Sequence, residues 1–303
     1  MSGAPETQIL KGVSRSFFLT LRLLPAPMRG AASLGYLLAR SSDTLADTTL
    51  AAPAERLEAL AGFAKAVATV APTPGWPAAL LNAIPDPRER RLLEHAPALL
   101  ACLHALPAAE AALVRDVVAI IISGQQLDLQ RFATATPRQP VALPDDAALD
   151  DYTWRVAGCV GEFWTRLGFL TLGSRFSRGT PATLLEQGRA YGQGLQLVNI
   201  LRDLPADLAA GRCYLPVADP TDRVALLACH ARWLERAALG VDQGRCYART
   251  LPSRRLRAAT QLPALLAAET LALLRGANWE VLQTRPKVPR SRVYALLVRA
   301  FLR

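Results

Sequence analysis

Two aspartates, Asp43 and Asp47, stand four residues apart behind Arg40 in the run LARSSDTLADT at 38–48. Carboxylates at that spacing sit solvated, pair internally, or grip something positively charged. On a helix advancing about 100° per residue, Tyr36, Arg40, Asp43 and Asp47 project at about 0°, 40°, 340° and 20°. A phenol, a guanidinium and two carboxylates then share one narrow face over three turns. Taken alone, the pattern also fits a solvated face with i,i+3 and i,i+4 pairs, because Ser41, Ser42, Thr44 and Thr48 make much of the remaining surface polar.

A second run changes the weighing: YGQGLQLVNILRDLPADLAAGRCYLP at 191–216. On the same projection Gln196, Asn199, Asp203 and Asp207 fall at about 0°, 300°, 340° and 20°, flanked by Leu195, Leu197, Val198, Ile200 and Leu201. Amides and carboxylates set among apolar residues are costly to bury without partners, so such a stripe lines a cavity or binds an ion. Two carboxylate pairs on two facing helices suit a hard cation such as Mg²⁺, which takes one or two carboxylates together with phosphate oxygens. The implied ligand is a phosphate ester. Pro205 predicts that the helix ends or kinks between Asp203 and Asp207, since it lacks a donor and disfavours α conformation at Leu204. A further polar pair, Gln125 and Asp128 in IISGQQLDLQRF, lies on an apolar helix.

The elements that must position these residues are helical. The 303 residues are 51% hydrophobic and 20% charged, rich in Ala and Leu, and alternating β-branched runs are lacking. Helical periodicity predicts segments at about 28–49, 54–70, 107–132, 147–173, 182–204, 221–247 and 253–275, separated by proline-rich breaks. No low-complexity linker or fixed-period repeat divides the chain, so one domain over 1–303 is expected. The net charge of +10 points to acidic partners: phosphates, nucleic acid or an anionic membrane face. Five scattered cysteines without a Cys-x-x-Cys spacing read as reduced thiols, and His95, His104 and His230 lie outside every motif. Gly158 and Gly161 predict close helix packing. The N-terminal MSGAPETQILKGV lacks the pattern of a signal peptide, which favours a cytoplasmic protein, or one peripheral on the inner membrane face.

The motifs DTLAD and NILRDLPAD, the latter followed by GRCYLP, resemble the two aspartate-rich motifs of the squalene and phytoene synthases, the head-to-head prenyl transferases. SRSF at 14–17, YTWRVAGCVG at 152–161 and ATQLPALLAAETLALL at 259–274 agree in order and spacing, so the resemblance covers about residues 10–275. It implies an all-α fold, an isoprenoid-synthase-type helical bundle around a central apolar cavity. It also implies that Asp43, Asp47, Asp203 and Asp207 hold Mg²⁺, with Mn²⁺ as an alternative, bridging two allylic diphosphates. Ser14, Arg15, Arg40, Gln196, Asn199 and Arg202 would contact diphosphate. Tyr36 and Tyr152 would stand at the reaction centre, where an aromatic face stabilises a cation and a phenol exchanges a proton; a core aromatic is an equal reading for Tyr152.

The family couples two farnesyl diphosphates, or two geranylgeranyl diphosphates, through a cyclopropyl diphosphate. Reduction by NADPH then yields squalene; proton loss yields phytoene or dehydrosqualene, and water yields hydroxysqualene. The tyrosine, arginine and aspartate spacing of YLLARSSDTLAD, together with SRSF and the late PKVPR, resembles squalene synthase most. By that match Lys287 is an NADPH contact, with an exposed loop lysine as the plain alternative. No G-x-G-x-x-G follows a strand, so a dinucleotide site would not be of Rossmann type. The basic tail at about 285–303, ending VPRSRVYALLVRAFLR, reads as a short amphipathic helix lying on a membrane, in place of the C-terminal anchor of the eukaryotic enzymes. No nucleic-acid partner is expected. Outside the family stand a helical metal-dependent phosphohydrolase, which would more usually carry histidine ligands, and a non-catalytic helical binding protein.

Overall fold

A computed structural model of the chain describes residues 17–69 and 75–302. Ser14 and Arg15 lie outside the described residues. The chain divides into two compact units, Met1–Gln130 with Arg166–Ser174, and Arg131–Thr165 with Arg175–Arg303.

The first unit carries α1 (Phe17–Leu23), α2 (Ala26–Asp47), α3 (Pro53–Ala68), α4 (Ala78–Asn82), α5 (Pro87–Glu94), α6 (Ala96–Ala105) and α7 (Ala108–Arg131). Prolines at the start of α3 and α5 explain why the breaks were legible: a first-turn proline gives up an N–H that a helix start leaves unpaired anyway. The Asp86 side chain caps α5 by accepting from Arg88 N. Leu38 and Leu45 of α2, Leu60 and Phe63 of α3, Leu92 of α5 and Leu103 of α6 are fully buried. Each such side chain contributes about 1.5–3 kcal/mol on leaving water. Arg56 of α3 donates from Nη1 to Ala46 O at 2.9 Å and so anchors the end of α2 that bears Asp47.

The second unit includes β1 (Val141–Ala142), α8 (Asp146–Thr153), a π-helical turn at Trp154–Gly158, the first turns of α9 (Cys159–Leu172), α10 (Pro181–Ala209), β2 (Arg212–Cys213), α11 (Arg223–Thr250), α12 (Arg254–Leu274), α13 (Trp279–Gln283) and α14 (Arg290–Leu302). Thr180, Asp222 and Ser253 cap α10, α11 and α12 through their side chains. The core gathers Leu197, Leu201 and Leu204 of α10, Trp233 and Leu234 of α11, and Leu271 of α12. The all-α reading holds, with one addition: β1 and β2 pair in parallel, Val141 N donating to Gly211 O at 2.9 Å. Gly211 ends α10 at φ +84°, and a Cβ there would stand 2.6 Å from Thr136 C. Its place at the head of GRCYLP is thus a helix stop that only glycine fits.

The glycines of the YTWRVAGCVG run do what their spacing predicts. A Cβ on Gly161 would lie 1.8 Å from Gly188 O, so backbone meets backbone there, and one on Gly158 would lie 3.0 Å from the Gln193 side chain and 3.4 Å from Arg189 O. The 147–173 helix is not continuous α-helix, because the π turn widens it at Trp154–Gly158. The five cysteines are all free. Burial pushes the thiols of Cys159 and Cys213 up to about 12 and about 11.

Candidate functional site

In the first unit the acidic stripe of α2 forms as its periodicity predicts, but its surroundings differ. Ser41, Ser42, Thr44 and Thr48 are buried, not surface residues. Each hydroxyl is satisfied within its own helix: Ser41 Oγ donates to Leu37 O at 2.9 Å, Ser42 to Ala39 O at 2.8 Å and Thr44 to Arg40 O at 3.1 Å. Short hydroxyl side chains can fold back on the preceding turn, which lets them enter a core. The hydroxyl residues thus belong to the buried side of α2, whereas on the acidic stripe Arg40 and Asp43 are half-buried and Asp47 is exposed.

Arg40 forms a charged hydrogen bond with Glu89 of α5 and stands 3.8 Å from Asp43. Burial works against the charge on Arg40, but Glu89 and Asp43 outweigh it and raise its pKa. Gln125 of α7 donates from Nε2 to Asp43 Oδ1 at 2.5 Å, while its Oε1 is buried without a hydrogen-bond partner. Partial burial, then the like charge of Asp47, push the Asp43 carboxyl up to about 6, against the pull of Arg40 and Gln125. Asp43 and Asp47 therefore place like charges in successive turns of α2, beside an amide oxygen that has no hydrogen-bond partner. Tyr36 is half-buried on the same helix and electrostatically coupled to Arg40.

In the second unit α10 passes through Pro205 and continues to Ala209. The expected break between Asp203 and Asp207 is absent, and the two aspartates occupy successive turns of one helix. Gln196, Arg202, Asp203 and Asp207 are half-buried, whereas Asn199 is exposed. Asp203 lies between two guanidiniums. Arg202 donates to its Oδ1 at 3.1 Å and Oδ2 at 2.6 Å, and Arg285 donates to Oδ1 at 3.1 and 2.7 Å. Burial opposes ionisation of Asp203, yet these hydrogen bonds prevail and hold its carboxyl below the usual range. Arg212 stands 3.5 Å from Asp207. Tyr152, just before the π turn, stacks on Tyr214 with ring centroids 4.9 Å apart at 22°, and Phe132 meets Tyr214 edge-on at 5.2 Å.

Four of these residues escaped sequence reasoning: Glu89, Arg212, Tyr214 and Arg285. Arg212 and Tyr214 stood inside GRCYLP and were available as a signal; Glu89 and Arg285 lie in ordinary charged stretches. Arg285 has φ +48°, the one non-glycine residue at positive φ among those described, and it precedes a proline. Lys287, in the same segment between α13 and α14, is exposed. Helix α14 forms as expected, but Leu296 and Ala300 are buried against Ala258, Leu262 and Leu265 of α12, so part of its apolar face is already used. Tyr294 and Val298 remain 66% and 60% exposed. Among the described residues no helix is long and apolar enough to cross a membrane, and no three His, Cys, Asp or Glu side chains converge to hold a metal by themselves.

The helical fold that carries these carboxylates in successive turns, beside guanidiniums, is of the isoprenoid-synthase type. The chain belongs to the squalene/phytoene synthase family, whose pattern it matches over residues 10–292. It is 31% identical over 218 residues to a presqualene diphosphate synthase of Zymomonas mobilis, an alignment covering 71% of this chain and 60% of that protein. A bifunctional lycopene cyclase/phytoene synthase of Phaeosphaeria nodorum is 30% identical over 77% of this chain and 35% of its own length. The chain thus spans less than two thirds of the length of these relatives. The fold is that of the TcSQS complex with the ligand E5700, at a TM-score of 0.78 and 22% identity, covering 98% of this chain and 85% of that one.

Proposed function

We propose that the protein is a prenyltransferase that condenses two farnesyl diphosphates head to head into a cyclopropyl (presqualene) diphosphate and, with NADPH, reduces that intermediate to squalene. The observation that carries this reading is Asp203 held between Arg202 and Arg285. A carboxylate and two guanidiniums in contact are complementary to a metal diphosphate: Asp203 would hold the metal, and Arg202 and Arg285 would bind phosphate oxygens.

Asp43, Asp47, Asp203 and Asp207 are the residues that would hold Mg²⁺ or Mn²⁺, which when bound neutralises the charge developing on departing diphosphate. Arg40, Arg202 and Arg285, with Ser14 and Arg15, would bind and orient the diphosphates, and Gln196 and Asn199 would add neutral polar contacts. Tyr36 and Tyr152 would border the reacting carbons; the Tyr152–Tyr214 stack offers an aromatic surface to a cation. Lys287 would meet NADPH. The protein would work in the cytoplasm or at the inner membrane face, α14 presenting Tyr294 and Val298 to lipid, and would bind no nucleic acid.

The relative named presqualene diphosphate synthase favours a second reading, in which the reaction stops at the cyclopropyl diphosphate. Purified protein is incubated with farnesyl or geranylgeranyl diphosphate and Mg²⁺, with and without NADPH, and the products are identified. Squalene only with NADPH supports the full reading, and presqualene diphosphate under both conditions supports the shorter one. Phytoene or dehydrosqualene without reductant would replace both, and no release of diphosphate from either substrate would overturn the prenyltransferase reading.

A further inference from the structure

Proline has no N–H, so Pro205 deprives the carbonyl of Leu201, four residues earlier, of the donor that a regular helix supplies. Leu201 is fully buried, where water cannot make up the loss. Helix α10 nonetheless runs on for another turn, to Ala209. The missing donor comes from a different helix: His230 of α11, only 3% exposed, places Nε2 3.2 Å from Leu201 O. A carbonyl can only accept, so Nε2 carries the proton, and the contact selects one tautomer of the ring. Burial depresses the pKa of His230, which keeps the ring neutral near pH 7 and free of an uncompensated charge.

We propose that His230 is a positioning residue: it replaces the backbone donor that Pro205 removes, and so keeps Asp203 and Asp207 on one uninterrupted helix. A looser form of the device occurs at the other intrahelical proline. Pro263 of α12 leaves Ala259 O without its i+4 donor, and the buried Tyr191 hydroxyl donates to the adjacent Thr260 O at 2.9 Å. In α10 the stakes are larger, since the turn beyond Pro205 carries Asp207. Without a donor at Leu201 that turn frays, and Asp207 moves independently of Asp203. The hydrogen bond stands on geometry alone; its consequence for metal and diphosphate binding rests on the function proposed above.

The test uses the full chain with His230→Leu, His230→Gln, Pro205→Ala and the double variant His230→Leu/Pro205→Ala. Amide hydrogen exchange is followed by mass spectrometry over the end of α10, beside the thermal midpoint as a measure of global stability. His230→Leu is expected to speed exchange in residues 206–209 about tenfold or more. His230→Gln, whose amide reaches a similar position, stays near wild type. In the Pro205→Ala background the residue's own N–H bonds to Leu201, so adding His230→Leu has little further effect there. Equal effects of His230→Leu in both backgrounds would mean that the imidazole merely fills space, and would overturn the proposal.

Should His230→Leu fail to fold, ¹⁵N NMR of the wild-type ring decides. The Nε2–H tautomer supports the assignment and the Nδ1–H tautomer ends it. The same variants are then assayed for the Mg²⁺ concentration giving half-maximal diphosphate release from farnesyl diphosphate, which should rise several-fold for His230→Leu and recover in the double variant. Coupled exchange with no diphosphate release from any variant, wild type included, would leave the role of His230 intact and remove the proposed function.

Discussion

Gln125 of α7 donates from Nε2 to Asp43 Oδ1 at 2.5 Å, across 82 residues of sequence. This bond lowers the pKa of a carboxyl that partial burial and Asp47 raise to about 6. Gln125→Leu removes the donor and leaves Asp43 protonated more of the time at neutral pH. Diphosphate release at pH 7 is expected to fall about tenfold or more, while far-UV circular dichroism stays unchanged. A variant with wild-type activity at limiting Mg²⁺ would show that this contact is unimportant to the stripe.

Asp43→Asn separates function from stability at the same site. It relieves the repulsion between Asp43 and Asp47 while preserving an acceptor for Gln125, so the metal-free protein should melt at the same temperature as wild type or higher. Turnover should nonetheless be lost, as it should for Asp203→Asn. Near-normal turnover at low Mg²⁺ would remove the substituted residue from the set of principal ligands.

On the proposed function, Arg285 would compete with a cation for Asp203. Because Arg285 is half exposed, its ion pair contributes at most about 1 kcal/mol to stability. Arg285→Gln should therefore leave the midpoint of urea unfolding nearly unchanged. In the absence of diphosphate it should tighten Mn²⁺ binding several-fold, read by electron paramagnetic resonance, and with farnesyl diphosphate it should raise KM. Unaltered Mn²⁺ affinity would show that the guanidinium and the metal do not share Asp203.

The glycine contacts predict opposite responses to one substitution. Gly161→Ala sets a methyl 1.8 Å from a backbone oxygen of Gly188, which no rotamer change relieves. A loss of about 3 kcal/mol or more is expected. Gly30→Ala, in α2 with nothing within 4 Å of the new Cβ, should gain about 0.5–1 kcal/mol. Urea denaturation of the two variants measures both, and a mild Gly161→Ala would mean that the helices part easily there.

His230 imposes a pH dependence with a definite sign. Its pKa lies below the ordinary 6.5 in the folded protein, so the unfolded chain takes up protons first as pH falls. Its contribution is complete above pH 6.5 and is lost as the pH drops toward the folded-state value. Relative to His230→Gln, the wild-type thermal midpoint should fall as the pH drops below about 6.5, a difference from which Asp43, whose raised carboxyl acts with the opposite sign in both proteins, cancels. Identical slopes for the two proteins would show that another group dominates acid sensitivity.

The sequence by itself determined what depends on near neighbours. Helices at 28–49, 182–204 and 253–275 were legible because apolar spacing and proline breaks act within a few positions, and they formed at Ala26–Asp47, Pro181–Ala209 and Arg254–Leu274. The two acidic stripes were legible for the same reason, since residues four apart on a helix must share a face. Family membership was carried by the same local motifs.

Tertiary structure decided which groups each stripe meets. Glu89 reaches Arg40 from 49 residues away, and Gln125 and Arg285 each reach their aspartate from 82 residues away, distances over which no local pattern acts. It also decided that Ser41, Ser42 and Thr44 are buried, because packing on α2 encloses hydroxyls already satisfied by their own helix. Pro205 shows the division most clearly. Local chemistry predicts a break there, but α10 continues, and the carbonyl that Pro205 leaves without a donor meets one from a separate helix, the His230 imidazole.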